Sequence, residues 1–238
     1  MQYYLTLFGS LDNLLRMLKR ETHLLSSDLN KVVKPNAVFL RECGLGNCDI
    51  AKLCIHVPRM LITNPDRVRA MVACAKGIGV PRGSGMFRKA LHAVAFQSKE
   101  KIAAKVDYLK NTFRWSDAEV GIAVSKVPML LKLSKDTLQS MSEFLVSEVG
   151  LEPTCIAHRP IMLTYSLEGR LRPRHYFLKF VKANRLLDHD WNYIYTVDLT
   201  ENIFVEKVVR PHIEAAPHLA EDYAAACRGE VPTRFMFA

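Results

Sequence analysis

The sequence predicts an all-α fold, a superhelical solenoid of tandem repeats in which each repeat holds two helices and a short turn. Three observations carry this. A phrase recurs every 32 to 36 residues, clearest as Val57-Pro58-Arg59-Met60-Leu61, Val127-Pro128-Met129-Leu130-Leu131 and Arg159-Pro160-Ile161-Met162-Leu163. Six residues after each proline stands a small polar residue, Asn64, Ser134 or Ser166, and two residues later a carboxylate, Asp66, Asp136 or Glu168. The intervening stretches show helical periodicity and no alternating strand pattern. A period of this size marks stacked helical units, because one unit cannot bury its apolar face alone.

Fixing the register extends the series to weaker copies. His92 takes the proline slot with Val94, Ala95, Ser98 and Glu100 behind it, and Ile194 takes it with Val197, Thr200, Asn202 and Phe204. A degenerate copy places Thr22, Leu24 and Leu25 in register. The anchors fall near 22, 58, 92, 128, 160 and 194, so residues 1–238 are expected to form a single repeat array.

Each part of the unit has a physical reason. A residue that precedes proline is pushed out of the helical region, and proline suits the first position of a new helix. The prolines therefore close one helix and open a short turn whose Met/Leu pair enters the core. Ser98, Ser134 and Ser166 are expected to cap the following helix, with the nearby carboxylate opposing the helix dipole. That helix carries an apolar stripe: Ile102, Val106, Leu109 and Phe113 in one repeat, Leu138, Met141, Leu145 and Val149 in the next. Ser116-Asp117-Ala118-Glu119 is a capping box that starts a second helix through Val120, Ala123, Val124 and Val127. The glycine-rich run from Gly77 to Gly85 is expected to be an inter-helix loop. It lacks the Gly-Lys-Ser/Thr ending and preceding strand of a phosphate loop.

Composition narrows the class. Hydrophobic residues make up 49% of the chain, enough for a long core, yet no apolar run is long enough to span a bilayer. Cys43, Cys48, Cys54, Cys74, Cys155 and Cys227 are scattered without a paired zinc spacing, which fits a reducing compartment and mostly buried thiols. Neither a signal peptide nor a transit peptide is visible. No cofactor or metal is expected.

The formal net charge of +9 is unevenly spread. Residues 190 onward carry four Lys or Arg against eight Asp or Glu, and all the remaining surplus of base precedes them. Residues 195–238 are accordingly expected to be an acidic C-terminal capping segment on a basic body. A basic surplus along an elongated helical surface favours a polyanion partner. The candidate phosphate contacts are Arg82, Arg88 and Lys89; Lys126 and Lys132, which flank a proline phrase; Arg159; the dense run Arg170, Arg172, Arg174 with His175; and Lys179 and Lys182. Lys126, Lys132 and Arg159 are placed near helix N-termini, where backbone amides attract phosphate. Reversing the charge of Arg170, Arg172 and Arg174 together is expected to weaken polyanion binding without unfolding the array.

Several phrases resemble the mitochondrial transcription termination factor (mTERF) family, in particular its land-plant branch. They are Val80-Pro81-Arg82-Gly83-Ser84-Gly85-Met86-Phe87, Ser116 to Val120, Ser147 to Pro153, Ile156 to Pro160, Leu163 to Arg174, and Ala216 to Tyr223. The resemblance implies a superhelix of three-helix mTERF-type repeats. It implies a basic groove that binds nucleic acid in mitochondria, the favoured compartment, or in chloroplasts. It also implies a role in organellar transcription termination or regulation, in splicing, or in ribosome assembly. His92 and Ile194 depart from the proline of the family's repeats.

The expected function is a monomeric, non-enzymatic regulator that binds double-stranded DNA, with organellar RNA as the alternative. DNA is favoured because Phe113, Trp115, Phe144 and Phe204 sit at core spacing rather than as stacking platforms. A helical protein-binding scaffold is a further alternative. Catalysis has little support: His56, His92, His158, His175 and His189 adjoin no nucleophile in a recognisable motif.

Overall fold

The structure is a computed structural model that describes residues 1–186, 192–213 and 217–230. His189, Ala216 and, of the acidic segment, residues 214–216 and 231–238 lie outside the described residues. The chain packs as two compact units, the first comprising Met1–Val146 with Leu151–Pro160, the second residues 147–150 with 161–238. Every regular element among the described residues is helical.

In the first unit the helices are α1 (Gln2–Phe8), α2 (Leu11–Leu18), α3 (Lys34–Glu42), α4 (Asn47–His56), α5 (Pro65–Gly77), α6 (Phe87–Val94), α7 (Lys99–Phe113), α8 (Asp117–Lys126), α9 (Lys135–Ser142) and α10 (Pro153–His158). The second unit holds α11 (Arg172–Ala183), α12 (Tyr193–Asp198), α13 (Glu201–Phe204) and α14 (Leu219–Cys227).

Tight 3-10 turns occupy four of the six anchors, at Thr22–Leu24, Pro58–Met60, Pro128–Lys132 and Pro160–Thr164. Val57 and Val127, just before two of the prolines, are forced off the helical region, with φ/ψ of −128/72° and −136/76°. At the two later anchors without proline no separate turn forms. There His92 lies inside α6, and Ile194 lies in the first turn of α12.

The residue six beyond each anchor is an N-cap in all six copies. Asp28, Asn64, Ser98, Ser134, Ser166 and Thr200 each accept a backbone N–H from the first turn that follows. Met60, Leu61, Leu130, Met162 and Leu163 are buried, as the phrase requires. Three of the capped helices contain a wide π turn two residues before a proline: Leu29–Val33 before Pro35, Leu167–Leu171 before Pro173, and Val205–Val209 before Pro211. A proline within a helix lacks its N–H and crowds the carbonyl four residues back, and widening the preceding turn relieves both.

The long stripes pack as expected in part. Leu109, Phe113, Leu138, Met141 and Leu145 are buried, whereas Ile102 and Val106 are half-buried and face an apolar groove of about 690 Å³ between α5, α7 and α8. Phe113 stacks on Trp115 at 4.7 Å, and the Trp115 indole donates to the Pro153 carbonyl at 2.8 Å. The glycine-rich loop is held in place. Gly83 donates its N–H to the Cys43 carbonyl at 3.0 Å, and a Cβ on Gly44 would lie 2.6 Å from the Gly83 Cα. Gly44 itself has φ +88°, so this crossing of two backbones needs glycine for both space and conformation. Of the cysteines, Cys43 and Cys54 are buried, Cys48 is exposed, and Cys74, Cys155 and Cys227 lie between.

Candidate nucleic-acid interface

The dense basic run of the second unit is turned inward. Arg174 has no exposed surface. Its guanidinium donates to the carbonyls of Thr196 (2.6 Å), Val197 (3.3 Å) and Leu199 (2.8 Å), and pairs with Glu201 at 2.8 Å. Arg170 donates to the same Leu199 carbonyl at 3.3 Å and lies 4.6 Å over the Tyr165 ring. Arg172 sits between Glu148 (3.4 Å) and Glu168 (3.1 Å). The expectation that these three arginines present one phosphate-binding face is therefore corrected. A spacing of two residues on a helix sends successive side chains to different faces, so 170 and 174 meet the segment around Thr196 to Glu201 while 172 meets Glu148 and Glu168. Only Lys179 and Lys182, both exposed on α11, remain outward-facing candidates there.

In the first unit Arg82 is exposed and lies 5.7 Å over the Phe39 ring, and Lys89 is exposed on α6. Arg88 is half-buried and paired with Asp49 at 3.3 Å. Lys126, Lys132 and Arg159 are exposed, but not at helix N-termini as expected. Lys126 ends α8, and Arg159 is the C-cap of α10. Proline turns follow helix ends, so this edge gathers carbonyls, and cations are drawn to them. Lys126 accordingly donates to the His158 carbonyl at 2.8 Å, and Arg20, two residues before the first anchor, donates to the Ile55 carbonyl at 2.5 Å. His56 and His158, also two residues before an anchor, each place Nδ1 at 2.8–2.9 Å from the carbonyl four residues back.

Stacking the turns brings anchor-adjacent side chains together into a furrow across the first unit. At its centre a cavity of about 280 Å³ is lined by Arg20, Glu21, His56, Arg59, His92 and Lys132, with Phe96 at its rim. Arg59 and Phe96 also border a second concavity with Arg67, and Lys132 borders a third with Lys101 and Lys105. Glu21 is buried and lies 3.6 Å from Arg59. The His56 and His92 rings are 5.0 Å apart. Burial, and then the charges of Lys132, His56 and Arg88, lower the His92 pKa to about 4, so its imidazole is neutral near pH 7. Burial, then Lys135, also lowers the Lys105 ammonium; its Nζ donates to the Leu133 carbonyl.

Of the residues expected from the sequence, Lys132 alone lines this central cavity. Arg20, Arg59, Arg67, His56, His92, Lys101 and Lys105 were not among the expected phosphate contacts. Their signal is registration: Arg20 and His56 stand two residues before an anchor, Arg59 one after, His92 on one, and Lys132 four after. Among the described residues no group of three or more His, Cys, Asp or Glu is placed to hold a metal ion, and no helix is long and apolar enough to cross a membrane.

Tandem capped helices with a cationic furrow along their turn edge define a helical-repeat protein. The chain belongs to the mTERF family, whose model matches residues 2–193. It is similar to the chloroplastic transcription termination factor MTERF8 of Arabidopsis thaliana, at 22% identity over 153 residues. That alignment covers 64% of this chain and 30% of the length of the relative.

Proposed function

We propose that this protein is a non-enzymatic, nucleic-acid-binding regulator of organellar gene expression, and that the furrow of the first unit holds a sugar–phosphate backbone. The observation that carries the reading is the convergence of Arg20, Arg59, Arg67, Lys101, Lys105 and Lys132 on linked concavities, with Glu21 the one carboxylate lining them. Cations clustered in this way release counterions when phosphates replace them, which gives salt-sensitive affinity with little dependence on sequence. Lys179 and Lys182, exposed on the second unit, are candidate phosphate contacts of that unit by itself. The repeat register runs on in sequence from anchor 160 to anchor 194, and we take both units as parts of one array acting as a monomer.

Double-stranded DNA is the favoured target, and interference with transcription the favoured outcome. Phe113, Trp115, Phe144 and Phe204 are all buried, so they offer no stacking surface to single strands. One observation supports RNA as the second reading. Phe96 is 37% exposed beside the furrow with the Arg67 guanidinium 5.3 Å over its ring, an arrangement on which an unpaired base could stack. Family membership and the chloroplastic relative support an organelle as the site of action.

The test is a binding titration with duplex DNA, single-stranded DNA and RNA of one sequence, using the native protein and the Arg59→Gln/Lys132→Gln variant. The proposal expects binding that the double substitution weakens by about tenfold or more, as the loss of two phosphate contacts implies. Equal binding by native and variant protein would remove the furrow from the interface.

A further inference from the structure

We propose that the central cavity of the furrow, lined by Arg20, His56, Arg59, His92 and Lys132, is a discrete pocket for one phosphoryl group whose occupation is coupled to protonation of His92. The inference rests on the nucleic-acid reading for its biological ligand, a backbone phosphate, but the pocket itself is a matter of local chemistry.

Three permanently cationic heads and one carboxylate line the cavity. Arg59 partly offsets Glu21 at 3.6 Å, and Arg20 is anchored by the Ile55 carbonyl, so the guanidinium is fixed before any ligand arrives. Two arginines and a lysine, one of the arginines already anchored, are a donor set that tetrahedral oxyanions select.

The histidines add a switch. In its neutral form His56 uses Nδ1–H to donate to the Lys52 carbonyl at 2.8 Å, which leaves Nε2 as an acceptor that repels a phosphate oxygen. Protonation turns Nε2 into a donor. His92 lies 5.0 Å away, and it is held neutral first by burial, then by Lys132 from the Pro128–Lys132 turn, His56 from α4 and Arg88 from its own helix. Arg20 and Glu21 from the segment before Thr22 and Arg59 from the Pro58 turn complete the ring of charge. Helix α5, which also packs on α6, contributes none of the lining residues. An anion in the cavity offsets the cationic neighbours that add to the effect of burial on His92, so anion and proton bind together.

The experiment follows the His56 and His92 imidazole resonances by NMR through a pH titration of the full chain. It is run alone, with inorganic phosphate, and with a short DNA duplex. A rise of the His92 midpoint by one pH unit or more with both ligands supports the pocket and assigns it to backbone phosphate. A rise with inorganic phosphate while the duplex binds without moving His92 supports the pocket and assigns it to free phosphate. A midpoint unmoved by either ligand overturns the pocket. If the duplex still binds in a salt-dependent way in that case, the functional proposal stands without it. If phosphate moves His92 but no duplex binds, the pocket stands and the nucleic-acid reading fails.

Affinity gives a second readout. A rise of the His92 pKa by two units on binding makes the duplex bind roughly fourfold tighter near pH 5.5 than near pH 7.5. The His56→Gln/His92→Gln variant is expected to lose that increment, so that the ratio of its affinities at pH 5.5 and pH 7.5 falls toward one. An equal pH response in native and variant protein would refute the coupling.

Discussion

The guanidinium of Arg174 lies 4.4 Å from the centre of the Phe204 ring, within a cage of carbonyls that no water reaches. The pair joins α11 to α13, and Tyr223 of α14 packs its ring 5.1 Å from Phe204 on the other side. A buried charge of this kind is tolerated because its two terminal nitrogens bond Thr196, Val197, Leu199 and Glu201. Arg174→Gln is expected to destabilise the second unit by at least about 2 kcal/mol, since it strands several acceptors at once. Urea unfolding followed by circular dichroism checks this. Native-like stability in the variant would show that the cage is dispensable. Charge reversal at 170, 172 and 174 would consequently report on folding, not on binding.

The box at the start of α8 makes stability depend on acid. Glu119 accepts from the Thr154 hydroxyl at 2.7 Å, and from the Ser116 N–H and hydroxyl at 2.8 and 2.7 Å. These bonds, that of Thr154 first, hold its carboxyl down at about 2. The folded pKa lies below the unfolded value of 4.5, so the stabilisation is present above pH 4.5 and is lost as pH falls toward 2. Ser116→Ala removes the cap, at a cost of about 1 kcal/mol near pH 7, and is expected to flatten the acid limb of a stability–pH curve. An acid limb identical to that of the native protein would contradict the assignment.

Gly44 and Gly83 cross too closely for a side chain. Gly44→Ala forces a Cβ to 2.6 Å from a backbone Cα and 2.9 Å from a backbone nitrogen, at a φ of +88°. The expected loss is about 2 kcal/mol, measured as a fall in urea midpoint. Gly46→Ala is the control, because a Cβ there has open space. Equal effects of the two substitutions would mean that the crossing is not tight.

How far the sequence was legible follows from what each signal physically encodes. Caps and turn prolines act locally, so Ser134 and Pro128 could be placed from their neighbours in sequence alone. The π turns before Pro35 and Pro173 escaped, since the widening is a response to a proline inside a helix and leaves no composition of its own. Core and surface were harder for charged residues. Arg174 resembles a surface cation until the carbonyls of a segment 22 to 25 residues away are seen around it. The furrow shows the converse. Arg20, Arg59, His92 and Lys132 look scattered along the chain, and only the stacking of successive turns makes them neighbours. Counting their distance from the anchors would have revealed this, whereas counting local charge density singled out the run that holds the buried Arg174.

The most direct measurement of the central claim is the dependence of duplex affinity on salt. If the furrow collects phosphates through its six cations, the logarithm of the binding constant falls linearly with the logarithm of salt concentration, with a slope of roughly −3 to −5. Arg59→Gln/Lys132→Gln should then reduce the magnitude of that slope by about 2. A slope near zero, or one that the double substitution leaves unchanged, would contradict the account.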